Sequence, residues 1–233
     1  MLHSDKSKFI KHHLVLPLIA LTLPFLYFMF LGGDSFVATK IYALQGGEWA
    51  LNDHWVTNNL IHKGGKYLST LTVVAAIILY MYLLVSSNDQ YIKWRKPFVY
   101  LILASLTSAT LVSLLKIITN MDCPWNLIQF GGDRPFVGLI EMRPREMENG
   151  KCFPAGHASS GYAWVSLYFF FRMTIPKYRW LGLSCGLFTG LIFGISQQLR
   201  GAHFVSHDIA TLSVCWITAL LFYIAFTKNT NRL

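Results

Sequence analysis

Charge is scarce in this chain of 233 residues, and acidic charge is scarcer still: 13% of residues are Asp, Glu, Lys or Arg, and only 11 are acidic. With 54% hydrophobic residues and a mean hydropathy of +0.43, that shortage argues against a soluble, disordered or fibrous protein. No internal repeat of fixed period and no low-complexity tract is present, and the short alternating segments of a transmembrane barrel are missing. What stands in their place is a series of uncharged runs: His12 to Gly33, Tyr67 to Asn88, Pro97 to Leu115, Cys152 to Phe171, Trp180 to Leu199 and Ile209 to Thr227, each of 19 to 22 residues. About 20 residues carry a helix across a bilayer, and backbone in lipid must satisfy its own hydrogen bonds, which selects helices. The first run continues to Gly33 without a small-x-small exit, so it reads as an uncleaved span. The expectation is an all-α fold, a six-transmembrane-helix bundle forming one integral membrane domain over 1–233, with spans near 12–33, 67–88, 97–116, 157–171, 180–199 and 204–227.

The formal charge of +9 would suit a nucleic-acid partner if it were spread over one surface, but it is not. With the N-terminus placed in the cytoplasm, that side receives Lys6, Lys8, Lys11, Lys93, Arg95, Lys96, Arg172, Lys177, Arg179, Lys228 and Arg232 against only Asp5 and Asp89. The opposite side balances to zero. This is the positive-inside pattern; it accounts for the whole excess, leaves the lipid bilayer as the partner and gives no reason to expect nucleic acid. Both termini are then cytoplasmic, and two long outer segments remain, Asp34 to Lys66 and Ile117 to about Lys151. Trp49 and Trp55 in the first suggest a helix lying at headgroup level, and Lys63-Gly64-Gly65-Lys66 reads as a basic turn, since it lacks a full phosphate-loop pattern. Cys123 and Cys152 share the outer side, where an oxidising compartment would let them form a disulfide closing about 30 residues, worth roughly 3 to 4 kcal/mol; Cys185 and Cys215 fall inside spans.

Following the chain in and out of the bilayer brings four basic or titratable residues to one face: Lys116 at the end of the third span, His157 at the start of the fourth, Arg200 at the end of the fifth and His203 at the start of the sixth. Singly, such residues are more often snorkelling anchors than catalysts. Two of them lie in segments with more chemistry. Phe153-Pro154-Ala155-Gly156-His157 is a Pro-Gly turn feeding a helix, whose unpaired N–H groups make an anion site. Arg200-Gly201-Ala202-His203-Phe204-Val205-Ser206-His207-Asp208 sets a histidine beside a guanidinium, a pairing suited to attack on phosphorus with the oxyanions held by cations. A second histidine can protonate the leaving oxygen, and His157 fits that part.

These residues resemble the type 2 phosphatidic acid phosphatase superfamily, whose pattern runs Lys, six residues, Arg-Pro; then Pro-Ser-Gly-His; then Ser-Arg, five residues, His, three residues, Asp. The resemblance implies a metal-independent integral membrane phosphatase with no cofactor. Carried over to this chain, Lys116, Gly156 and the Ala155 position would bind phosphate, His157 would be the acid and His203 the nucleophile forming a phosphohistidine. A membrane lipid phosphate or diphosphate would be the substrate, with phosphatidylglycerol phosphate, phosphatidate, undecaprenyl diphosphate and a lipid A phosphate as candidates, at the periplasmic face of a bacterial inner membrane.

The chain departs from the pattern in four places. Cys123-Pro124 stands where Arg-Pro is usual, Ala155 where Ser is usual, and Ser196-Gln197 where Ser-Arg is usual, with an arginine three residues later at Arg200. The orienting Asp is displaced by one: His207 is four after His203 and Asp208 is five after, and on a regular helix these positions are rotated from it by about 40° and about 140°. His207 or Ser206 is therefore the expected orienting partner if Asp208 misses the ring, and Arg200 is expected to reach the phosphate from one turn nearer the mouth. Arg134, Arg143 or Arg145 could replace the charge lost at Cys123. Three other readings compete. His203 and His207 at i, i+4 would suit a metal hydrolase but lack the adjacent Glu of a metalloprotease. Ser159 and Ser160 lack a serine-protease context. The altered motifs would also suit a lipid-binding or phosphotransfer protein of the same fold.

Overall fold

A computed structural model describes residues 2–228, with side chains from Lys6 onward, so the Asp5 side chain and Arg232, both counted in the charge asymmetry above, lie outside the described residues. Helix accounts for 76% of the chain, and no strand occurs among the described residues. Helix α1 runs over 2–30 through a π-helical turn at Lys11–Val15. Then come α2 (Gly33–Leu44), α3 (Val56–Val85, opening with a π-helical stretch to Gly64), α4 (Asp89–Thr119), α5 (156–173, with a 3-10 turn at Ala163–Val165), α6 (Arg179–Leu199) and α7 (Val205–Thr227).

Five helices are long and apolar enough to cross a membrane: Lys6–Phe30, Val56–Val85, Asp89–Asn126, Pro176–Leu199 and Val205–Thr227. The segment expected as the fourth of six spans is α5, 18 residues long and interrupted by its 3-10 turn. It is the most enclosed helix of the bundle, with Ala158, Tyr162, Val165 and Phe169 all buried. Burial falls outward: only 6% of the apolar window of α1 and 11% of that of α3 is covered, against 39% in α6 and α7. The uncovered faces carry Leu23, Leu71, Ile78 and Leu181, each more than 60% exposed; an apolar surface of that extent suits lipid.

Close helix contact in lipid depends on small residues, and α6 supplies them at every fourth position. A Cβ at Gly186 would lie 2.3 Å from the Val165 nitrogen, and one at Gly190 2.1 Å from the Tyr162 ring. That stripe lets α5 lie directly against α6. On the other side of α5, the fully buried Tyr100 hydroxyl of α4 donates to the carbonyls of Ser166 in α5 and Ala219 in α7, at 3.3 and 3.1 Å, and so fastens the three helices together.

The first outer segment is not a detached interfacial helix. Trp49 packs with Tyr42 and Phe130 and sits on the corner between α6 and α7, where a Cβ on Gly201, whose φ is +71°, would lie 2.4 Å from its ring. Trp55 does remain 62% exposed, as an interfacial anchor would. Lys63-Gly64-Gly65-Lys66 is not a turn: it is helical, and Gly65 admits the Phe193 ring of α6, 2.5 Å from where its Cβ would be.

Candidate active site

One end of the bundle holds a cavity of about 520 Å³. Lys116 at the last turn of α4, Gly156 and His157 at the start of α5, and His203 just before α7 all line it, together with Gln197 of α6. The anticipated convergence of helix ends is thus present, except that Arg200 and Ala155 are not part of the wall. Three further cationic or titratable residues join it: His62 and Lys66 from α3, and Lys151 from the second outer segment.

Lys116 and Gly156 are matched in shape. A Cβ on Gly156 would lie 3.1 Å from the lysine Nζ and 3.2 Å from its Cδ, so the lysine stem lies across the first residue of α5 and its ammonium reaches the mouth of that helix. No hydrogen bond or ion pair to Lys116 occurs among the described residues, and Gly156 and His157 at the start of α5 line the same space, so a cation and a helix N-terminus meet there, an arrangement that suits an oxyanion. Gly156→Ala is therefore expected to displace Lys116 and lower kcat/KM for phosphate release about tenfold, with the melting temperature little changed. Activity equal to wild type would mean that the lysine position is immaterial. Ala155, where a hydroxyl is usual, is fully buried, its N–H donating to the His207 carbonyl at 3.2 Å.

His203 precedes the first turn of α7 and is 7% exposed. Its Nδ1 faces the Nδ1 of the fully buried His207 at 3.4 Å, a long contact, and the ring also meets the Cys152 carbonyl. Burial, then the neighbouring His207 and Lys116, hold its pKa well below the ordinary 6.5, with the Cys152 carbonyl opposing, so the ring is neutral at neutral pH. Asp208 is turned elsewhere: it accepts from the Gln198 side chain and lies against Gly194. Ser206 is also engaged, donating through N–H and hydroxyl to Asp34 of α2. Of the three possible orienting partners, His207 alone meets the ring, although His203 itself stands before the helix.

His157 lies between His62, with centroids 4.3 Å apart, and Phe193, at 5.1 Å, its ring tilted by 41° to each. Its Nε2 is buried and has no hydrogen-bond partner among the described residues. Gln197 Nε2 donates to His62 Nδ1 at 3.0 Å, and Gln197 Oε1 accepts from Arg200 at 3.3 Å. Arg200 is committed outward: Nε donates to the Asn52 carbonyl at 2.7 Å and Nη2 to the Asn52 side chain at 3.3 Å. It therefore reaches the cavity through Gln197. Burial lowers its pKa, with Asp53 opposing. Ser159 and Ser160, though at the wall, donate back to the carbonyls of Gly156 and His157, the usual local alternative for a helical serine.

The second outer segment closes the rim. Cys123 and Cys152 are joined, with Cα atoms 5.2 Å apart, and both line the cavity. Arg134 and Arg143 do not replace the charge missing at Cys123; both pair with the buried Asp122, at 2.9 and 2.6 Å, which fixes the loop. Arg145 is exposed and is not part of the wall. The added positive charge comes from Lys66 and Lys151, which belong to no motif.

Together these features define a multi-helix protein compatible with repeated membrane crossing and built around a cationic cavity with three histidines. Residues 97–231 match the family model described as the PAP2 superfamily. The chain belongs to that superfamily, and the membership indicates phosphatase-type activity, that of a phosphoric ester hydrolase. No curated protein and no solved structure matches it significantly. Of the cavity residues, His62 and Lys66 lie outside the matched stretch.

Proposed function

We propose that the protein hydrolyses a lipid phosphate or diphosphate, a monoester or anhydride, through a phosphohistidine on His203. The observation that carries the lipid part is adjacency. Ser160 lines both the cationic cavity and an apolar groove of about 370 Å³ between α3, α4, α5 and α6, walled by Leu68, Ala76, Leu79, Leu101 and Trp164. A phosphorylated headgroup in the first and a chain in the second would span them together.

In the first step Lys116, the α5 amides and Lys66 hold the phosphoryl oxygens. His203 Nε2 attacks phosphorus as the bond to the leaving oxygen breaks, and His157 gives that oxygen its proton. Water then attacks the phosphohistidine, His157 takes a proton from it, and inorganic phosphate leaves with His203 neutral again. His207 keeps Nδ1 of the nucleophile occupied. Arg200 acts as a positioning residue, holding Gln197 and through it His62. The charge asymmetry supports a cavity on the periplasmic side of a bacterial inner membrane, with both termini cytoplasmic.

The test is phosphate release by the purified detergent-solubilised protein from phosphatidylglycerol phosphate, phosphatidate, undecaprenyl diphosphate and a lipid A phosphate, with and without excess EDTA or vanadate. Release that EDTA spares and vanadate suppresses is expected. Saturable binding without release would instead favour a lipid-binding role, and loss on chelation a metal hydrolase.

A further inference from the structure

At the end of the bundle opposite the catalytic cavity lies a second cavity, of about 440 Å³. Lys8 and His12 of α1, Arg172 at the last turn of α5 and Arg179 at the first turn of α6 converge on it. The 21 residues of α6 place it about 30 Å from Arg200, roughly one hydrocarbon thickness away. No Asp or Glu lines it, and none of these cations has an ion-pair partner among the described residues.

Loop lysines that merely satisfy a charge rule point into solvent, whereas this cavity is constructed. Its floor is the buried His13, whose ring pairs with the Phe9 carbonyl and the Tyr168 hydroxyl, both at 2.9 Å, and whose carbonyl accepts from Trp216 at 2.7 Å. Arg172 is held in place by donating Nε to the Tyr223 hydroxyl at 3.0 Å and by lying over the Phe9 ring. Arg179 lies over Trp180, 5.6 Å from its centroid, and its Nε is buried with no partner among the described residues. A buried guanidinium N–H without an acceptor is costly, and two oriented guanidinium groups suit a tetrahedral oxyanion. Trp180, 58% exposed at the rim, has the character of an interfacial anchor.

We infer that this cavity is a second, non-catalytic phosphate-binding site, between α1, α5 and α6, for the phosphate group of an anionic lipid headgroup in the leaflet opposite the catalytic cavity. Its chemistry would accept free phosphate as well, so the test separates the two sources. Full-length protein is titrated in detergent micelles with phosphatidylglycerol, phosphatidylcholine and inorganic phosphate, and bound species are counted by native mass spectrometry beside the thermal shift. Wild type is compared with Lys8→Gln/His12→Gln/Arg179→Gln, which spares the Arg172 packing, and with Lys93→Gln/Lys96→Gln at the same end of the bundle. Phosphatidylglycerol affinity is expected to fall about tenfold in the triple variant and to hold in the Lys93/Lys96 control and in Lys116→Ala/His203→Ala, which disables the catalytic cavity. Saturation by inorganic phosphate with the same variant pattern would keep the site and make the free anion its ligand. Equal losses in the triple and control variants, or loss in the catalytic double variant, would overturn the proposal.

Discussion

His203→Ala is expected to abolish phosphate release, by at least about 10⁴-fold in kcat, while leaving the protein folded. The ring makes no contribution to the helix ladder, since it precedes α7, and its side-chain partners are His207, at a long contact, and the Cys152 carbonyl. Brief incubation of the wild type with ³²P-labelled substrate followed by a denaturing quench should leave acid-labile label on the chain; the alanine variant should retain none. Burial also sets the pH response. Because the His203 pKa lies well below the usual 6.5, the ring stays unprotonated as pH falls through that value, so the acid limb of kcat/KM that belongs to the nucleophile should lie below pH 6.5. Undiminished release by the variant would remove His203 from the chemistry altogether.

The second large effect belongs to His157. Truncation to alanine is expected to cost about 10² to 10⁴-fold with an alkyl phosphate lipid, the range associated with a positioned general acid. The same variant should lose less than about tenfold with p-nitrophenyl phosphate, whose leaving group departs without a proton. That contrast separates proton donation from packing. The ring sits between His62 and Phe193, so a purely structural loss would depress both substrates alike. Equal losses would therefore count against the acid assignment even though activity had fallen.

Lys116, Gly156, His157 and His203 could be placed together from the sequence because each sits at a helix end and counting spans brings alternate ends to one face. The sequence left His207 and Ser206 both open as partners if Asp208 missed the ring; the rotation argument assumes a regular helix, whereas His203 stands two residues before α7, beyond the extended Phe204. What lay out of reach depends on tertiary contact. His62 and Lys66 belong to a segment that reads as polar outer loop. They reach the cavity because Gly65 lets α3 come up against Phe193, a contact with no local signature. Arg200 has the right spacing for the cavity, yet the carbonyl and side chain of Asn52, 148 residues earlier in the chain, draw its guanidinium outward. Arg134 and Arg143 were equivalent candidates by sequence until Asp122 claimed both. The α5 helix shows the same limit differently: its run has nearly the length of a span, but a 3-10 turn and burial on nearly every side make it the pillar around which the other helices stand.

The cap that Asp34 places on the first turn of α7 also bears on how such a protein can be re-engineered. Asp34 belongs to the first outer segment, outside the stretch 97–231 that matches the family, and it fastens the helix start two residues after His203. Burial raises the pKa of this carboxyl while the Ser206 hydrogen bonds oppose the rise, so it is the hydrogen bonds, not the burial, that favour the ionised cap. Exchanging that segment for a relative's, to borrow its headgroup preference, would exchange the mooring of the nucleophile as well. On the proposed reading, headgroup contact and the anchoring of α7 would share one segment, and grafts that preserve Asp34 and Asn52 should keep turnover where wholesale replacement loses it.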